Sequence, residues 1–316
     1  MATRLVVAVG GNAIHPGHMQ GTVDEQIATA EATARSLLPI MESDNELVIT
    51  HGNGPVVGKI LMRQALASGR VAPMTLDICV AHSQGGIAYL LMQALENRLR
   101  KSGNSRRVVT VLTQVEVDPV DPAFQEPTKP IGYFYTKEEA RKIGLELGWA
   151  MQEDAGRGWR HVVPSPEPQR IVEIESIADE AANGSVVIAC GGGGIPIVRT
   201  PDGASLGAEA VIDKDLSSAV LANALRAEVI MLLTGVPHVA LNYGTPAERQ
   251  LRRTTLSEMR RHYEEGQFAE GSMGPKVKAA IRFLEGGGAC AIIAHLHDAA
   301  TALWGDCGTH IFPDAA

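Results

Sequence analysis

Short, almost wholly apolar runs rich in β-branched residues recur along this chain, and each stops at a polar or glycine-rich turn before a helical pattern begins. Arg4–Val9 ends at Gly10-Gly11-Asn12, Glu46–Thr50 ends at His51-Gly52-Asn53-Gly54-Pro55, and Val186–Cys190 runs into Gly191 to Gly194. Arg107–Leu112, Val229–Leu233 and Cys290–His295 have the same character. A strand with one wet face alternates apolar and polar residues; runs without that alternation belong to strands covered on both faces. The intervening segments carry helical spacing. Ile27, Ala30, Ala34, Leu37 and Met41 follow a Thr22/Glu25 capping-box pair, and Ile87, Leu90, Leu91, Ala94, Leu95 and Leu99 share one face of a later helix. The pattern predicts an open three-layer αβα sandwich around a mostly parallel central sheet.

One stretch breaks the rhythm. Pro119, Pro122, Pro127 and Pro130 crowd together, then a capped helix is expected from Thr136 and a hairpin around Asp154-Ala155-Gly156-Arg157-Gly158. Residues 118–165 are expected to form a small protruding subdomain of one domain spanning 1–316. By composition alone the excursion reads equally well as a decorative surface insertion.

Bulk properties exclude several functions. With 316 residues, 45% of them hydrophobic and 20% charged, the chain has material for a sizeable core and no disorder signature. A formal charge of −8 disfavours nucleic acid, whose phosphates need clustered Lys and Arg. No apolar run is long enough to span a bilayer, and Leu5–Val9 is too short for a secretory signal core. Cys79, Cys190, Cys290 and Cys307 have no CxxC spacing, so they read as reduced thiols of a cytoplasmic protein.

Ligands of open α/β sheets bind outside the carboxyl ends of the strands, and the glycines gather there: Gly10-Gly11, Gly52, Gly54, Gly191 to Gly194 and Gly235. Such turns let backbone N–H groups approach an anion, helped by a following helix N-terminus. A single glycine turn is weak evidence; several at equivalent strand ends are harder to dismiss. Neither GxxxxGK[ST] nor a GxGxxG after the first strand is present, nor a GxSxG elbow. Asp213-Lys214-Asp215 follows the apolar Ala210-Val211-Ile212, expected as a strand, and precedes a helical pattern. It reads either as a solvated ion-pair cluster or as a lysine gripping a phosphoryl oxygen beside an organising aspartate. Lys276 lies at the expected start of another helix, where an anion would suit it better than the helix dipole alone does. Lys129 falls in the projecting segment and, taken alone, is an ordinary surface lysine. His295 and His297 sit two apart without the partners of a metal site.

Together these residues resemble the carbamate kinases, a branch of the amino acid kinase family. The matching segments are VAVGGNAI (7–14), ITHGNGP (49–55), LTQVEVDPVDPAF (112–124), PTKPIG (127–132), GWRHVVPSPEPQRIVE (158–173), IACGGGGIP (188–196), EAVIDKD (209–215), LLTGV (232–236) and GSMGPK (271–276). The resemblance implies reversible, Mg²⁺-dependent phosphoryl transfer from ATP to carbamate, giving ADP and carbamoyl phosphate, in a cytoplasmic homodimer. It further implies use in making ATP during arginine or related nitrogen catabolism. The N-terminal half would hold carbamate or carbamoyl phosphate, and about 186–316 the nucleotide. On this chain the resemblance places Gly10, Gly11, Asn12, Gly52, Asn53 and Gly54 at the small substrate. It assigns catalysis to Lys129, Lys214, Asp215 and Lys276, with Lys214, Tyr243, Met273 and Lys276 at the nucleotide and no direct protein ligand to the magnesium.

The chain departs from the family pattern at Val56, Gly86, Ala88 and Tyr133. Those near Val56 and Gly86 keep in play an amino acid kinase for a different small carboxylate or carbamate-like acceptor. A sensor that binds nucleotide or carbamoyl phosphate without turnover is the reading from another class, and the intact Lys129, Lys214, Asp215 and Lys276 set weighs against it.

Overall fold

A computed structural model describes residues 3–11, 20–154 and 156–314. Its centre is an eight-stranded sheet in the order Arg253–Thr255, Thr309–Phe312, Cys290–His295, Val229–Thr234, Arg4–Val9, Glu46–His51, Val186–Ile188 and Val108–Thr110. The six strands from Cys290–His295 to Val108–Thr110 are mutually parallel; Thr309–Phe312 pairs antiparallel and brings Arg253–Thr255 with it.

The unbroken apolar runs have the expected cause. Leu5, Val7 and Val9 pack under one helical layer, built from Val23–Met41, Leu76–Lys101 and Ala299–Trp304. Val6 and Ala8 pack under the other, which includes Lys214–Ala224 and Met273–Glu285. Inner strands such as Arg4–Val9 are therefore buried on both faces, and the αβα sandwich expected from the runs is the fold observed. The Thr22/Glu25 capping box is formed, with Thr22 Oγ1 accepting from Glu25 N and Glu25 Oε2 accepting from Thr22 N.

Two expectations give way. Arg107–Leu112 contributes only Val108–Thr110 to the sheet. Gln84 takes the Thr113 amide at 2.7 Å and draws the chain off the edge toward a second, four-stranded sheet, Ser205–Gly207, Ile195–Arg199, Gln114–Val117 and Pro168–Ile171. Ala210-Val211-Ile212 is buried but is not a strand. Its Val211 amide is taken by Pro164 O at 2.9 Å, so the apolar run reports burial in an irregular stretch.

Within residues 118–165, Lys129–Tyr135, Trp159–Val163 and Met151–Glu153 form a separate antiparallel sheet, with the capped helix Lys137–Leu147 against it. The lobe meets the main body at a glycine contact. A Cβ on Gly58, in helix Gly54–Ala67, would stand 2.1 Å from Gly132 Cα, and Gly132 itself has φ +74°.

Candidate active site

Parallel alignment sends the glycine turns after Val9, His51 and Thr234 to one edge of the sheet, where they line a cleft of about 1380 Å³. The turns interlock closely, Gly52 against the backbone of Gly11 and Gly192 against the side chain of Asn53. A Cβ on Gly52 would lie 3.0 Å from Gly11 N, and one on Gly192 would lie 2.3 Å from Asn53 Nδ2. Any side chain there would separate the loops, so glycine is needed at these positions for packing. Asn53 is buried and donates to Ser83 Oγ at 2.8 Å, which fixes the turn from which helix Gly54–Ala67 departs. That helix start faces the cleft and favours an anion.

Three lysines from distant segments converge on two aspartates. Asp213 is the N-cap of helix Lys214–Ala224: its Oδ1 accepts from Asp215 N at 2.9 Å and Leu216 N at 3.3 Å. Its Oδ2 takes Lys129 Nζ from the lobe at 2.5 Å. Lys214 and Lys276 share Asp215, with Lys214 on Oδ1 and Lys276 on Oδ2 at 3.1 Å. The Lys214 and Lys276 side chains are only 11% and 13% exposed, and Asp215 is 5% exposed, so the cluster is no solvated surface pair. Burial alone would raise the Asp215 carboxyl, but the two ammonium groups outweigh it and hold the group well below the usual carboxylate range. Asp213 is likewise opposed by burial and lowered by Lys129. Burial and the neighbouring Lys276 depress Lys214 against the pull of Asp215. Lys276 is raised, because Asp215 outweighs its burial. With both aspartates ionised, three cations meet two anions, and an excess positive charge faces the cleft.

Gly10, Gly11, Gly52, Asn53, Gly54, Lys129, Lys214, Asp215, Tyr243, Met273 and Lys276 all line this one cleft. Asn12 lies outside the described residues. Tyr243 is 72% exposed on the wall, whereas Met273 is half-buried and packs on the core beneath it. Sequence reasoning passed over two features. Asp213 docks the lobe lysine, and its place just before a helical run was the N-cap signal that could have found it. His51 is fully buried below Gly191, with its Nε2 unpartnered and burial pushing it down to about 4. No local pattern marks it, since its surroundings are made by Gly191 and Lys214, far along the chain. His295 and His297 also line the cleft, with ring centroids 5.1 Å apart. Among the described residues, no three acidic, His or Cys side chains converge as a metal site.

Cations and glycine-rich turns converging on one cleft suit a ligand with phosphate groups. Residues 3–295 match the model of the amino acid kinase family. The chain is 49% identical to the carbamate kinase of Pyrococcus furiosus, over 99% of this chain and all of that one. Among solved structures it is similar to carbamate kinase from Giardia lamblia bound to citric acid, with TM-score 0.95, 42% identity and 99% of each chain covered. The same Giardia enzyme bound to AMP-PNP aligns at TM-score 0.90 and 43% identity, again over 99% of each chain.

Proposed function

Since the chain belongs to the amino acid kinase family, within its carbamate kinase branch, we propose that it transfers a phosphoryl group reversibly between ATP and carbamate, giving ADP and carbamoyl phosphate. The observation that carries this reading is the convergence of Lys129, Lys214 and Lys276 on Asp213 and Asp215, in one cleft with the glycine turns Gly10-Gly11 and Gly52 to Gly54. Carbamate arrives with its own anionic oxygen, so the nucleophile needs no general base. What the site must supply is alignment of two anions and neutralisation of the charge that spreads over the moving group.

The small substrate would rest on the amides of Gly10, Gly11 and Gly54, with Asn53 and the backbone of Gly52 beside it, and Asn12 would join them. The Gly52 amide itself is held by Val9 O at 3.1 Å. The nucleotide would occupy the side of residues 186–316, with Tyr243 and Met273 toward the base. Lys214 and Lys276 would hold phosphate oxygens, Asp215 would keep their spacing, and Lys129 would reach the transferred group from the lobe. Both site carboxylates already spend oxygens on ammonium groups, and Asp213 also on amides. Magnesium therefore fits as an ion bound chiefly by nucleotide phosphates and water, where it would offset their charge. By the same reading the enzyme makes ATP from carbamoyl phosphate in arginine or related nitrogen catabolism, in the cytoplasm.

A homodimer completes the reading. Helix Leu76–Lys101 exposes Ile78, Gly85, Gly86 and Tyr89 along one face, and a Cβ on either glycine would meet nothing within 4 Å. Two mid-helix glycines without an internal reason suit close approach of the same helix from a second copy.

Purified protein given carbamoyl phosphate and MgADP should form ATP. Absence of ATP, with turnover of another acyl phosphate from a panel, would transfer the assignment to a different acceptor. Binding of carbamoyl phosphate without any turnover would favour the sensor.

A further inference from the structure

The segment between the lobe and the second sheet, Val163-Pro164-Ser165-Pro166-Glu167, touches the supports of all three cleft lysines. Val163 lies opposite Lys129 in the lobe sheet. Pro164 O accepts from Val211 N at 2.9 Å, two residues before the Asp213 cap of the Lys214 helix. Glu167 then reaches helix Met273–Glu285, which carries Lys276. Its Oε1 meets Lys278 Nζ at 2.5 Å and its Oε2 meets Arg282 Nη1 at 2.6 Å, two cations one helical turn apart. The Glu167 amide is itself held by Asp121 Oδ2 at 2.9 Å.

We propose that this segment is a strut that fixes the mutual spacing of Lys129, Lys214 and Lys276, and that Glu167 is the positioning residue clamping the Lys276 helix to it. Partly exposed ion pairs contribute little to global stability, and this one is about 42% exposed at the glutamate. Its consequence is geometric. Phosphoryl transfer depends on placing charges to within a fraction of an ångström, so a helix no longer clamped at its second and third turns loses rate before it loses fold. Proline at positions 164, 166 and 168 stiffens the segment on both sides of the contact.

The strut rests on the phosphoryl-transfer reading above, and its test separates the two. In wild-type background, Glu167→Gln should lower kcat for ATP formation about tenfold and raise KM for ADP more than KM for carbamoyl phosphate, with Tm moved by no more than about 2 °C. In a Lys276→Ala background the same substitution should have little further effect, because both act through one ammonium group. An equal fractional loss in both backgrounds, or kcat within twofold of wild type, overturns the strut. Hydrogen exchange supplies a readout that needs no turnover: amides of Lys276 to Ala279 should exchange faster in Glu167→Gln. Unchanged exchange there overturns the strut, whereas a wild-type protein that forms no ATP overturns the functional reading alone.

Discussion

Lys214 and Lys276 are 62 residues apart in sequence, yet their ammonium groups meet on the two oxygens of one buried carboxylate. Each would act on charge that develops only as the phosphoryl group moves. Lys214→Ala and Lys276→Ala should each lower kcat by on the order of 10²–10³, the loss typical of one preorganised donor. Steady-state assays in the ATP-forming direction check this, and near wild-type turnover in either variant rules out the assignment. Lys129 differs, because it belongs to the lobe and is held by Asp213 rather than Asp215. Lys129→Ala should weaken the reaction mainly through carbamate or carbamoyl phosphate. Equal kinetics with both substrates would leave the lobe lysine without a role.

At the scale of elements, the informative contact is the one between helix Gly54–Ala67 and lobe strand Lys129–Tyr135. Helix propensity alone favours Gly58→Ala by about 1 kcal/mol. The added methyl would stand 2.1 Å from Gly132 Cα, however, and neither backbone can yield cheaply. Overpacking of this kind costs about 1–3 kcal/mol, so the clash wins. Gly58→Ala should lower Tm and also displace the lobe, giving a carbamoyl phosphate defect like that of Lys129→Ala. A variant with raised Tm and normal kinetics would show that the two elements are not in tight contact.

For the whole molecule, pH and association are the measurable quantities. Burial pushes His51 and His161 down to about 4 from an ordinary 6.5. Between those values the unfolded chain takes up protons that the native fold refuses. The associated stability is complete above pH 6.5 and is lost as pH falls toward 4, by about 3 kcal/mol for each ring. Denaturant melts at pH 7 and 4.5 would measure the drop. His161→Phe should reduce it while keeping the stack on Trp149, where the ring centroids are 4.3 Å apart. An identical pH dependence in that variant would clear His161 of any part in it. For association, Tyr89→Glu should convert a sedimenting dimer to monomer, and a dimer that survives this change uses another face.

Much of this protein was already written in local patterns. Both-face burial of strands such as Arg4–Val9 requires unbroken apolar runs, and the Thr22 and Thr136 caps depend on residues three apart, so chain order alone settled the layered sheet and several helix starts. The candidate lysines and glycine turns stood out as chemistry, and their grouping followed from resemblance. Tertiary structure decided what depends on residues far apart. It ended Arg107–Leu112 early through Gln84, left Ala210–Ile212 without a sheet neighbour, and set Glu167 against a helix more than a hundred residues away. It also distributed the three lysines between Asp213 and Asp215. Such choices are made by whichever partner arrives across the fold, and periodicity and spacing hold no record of that partner.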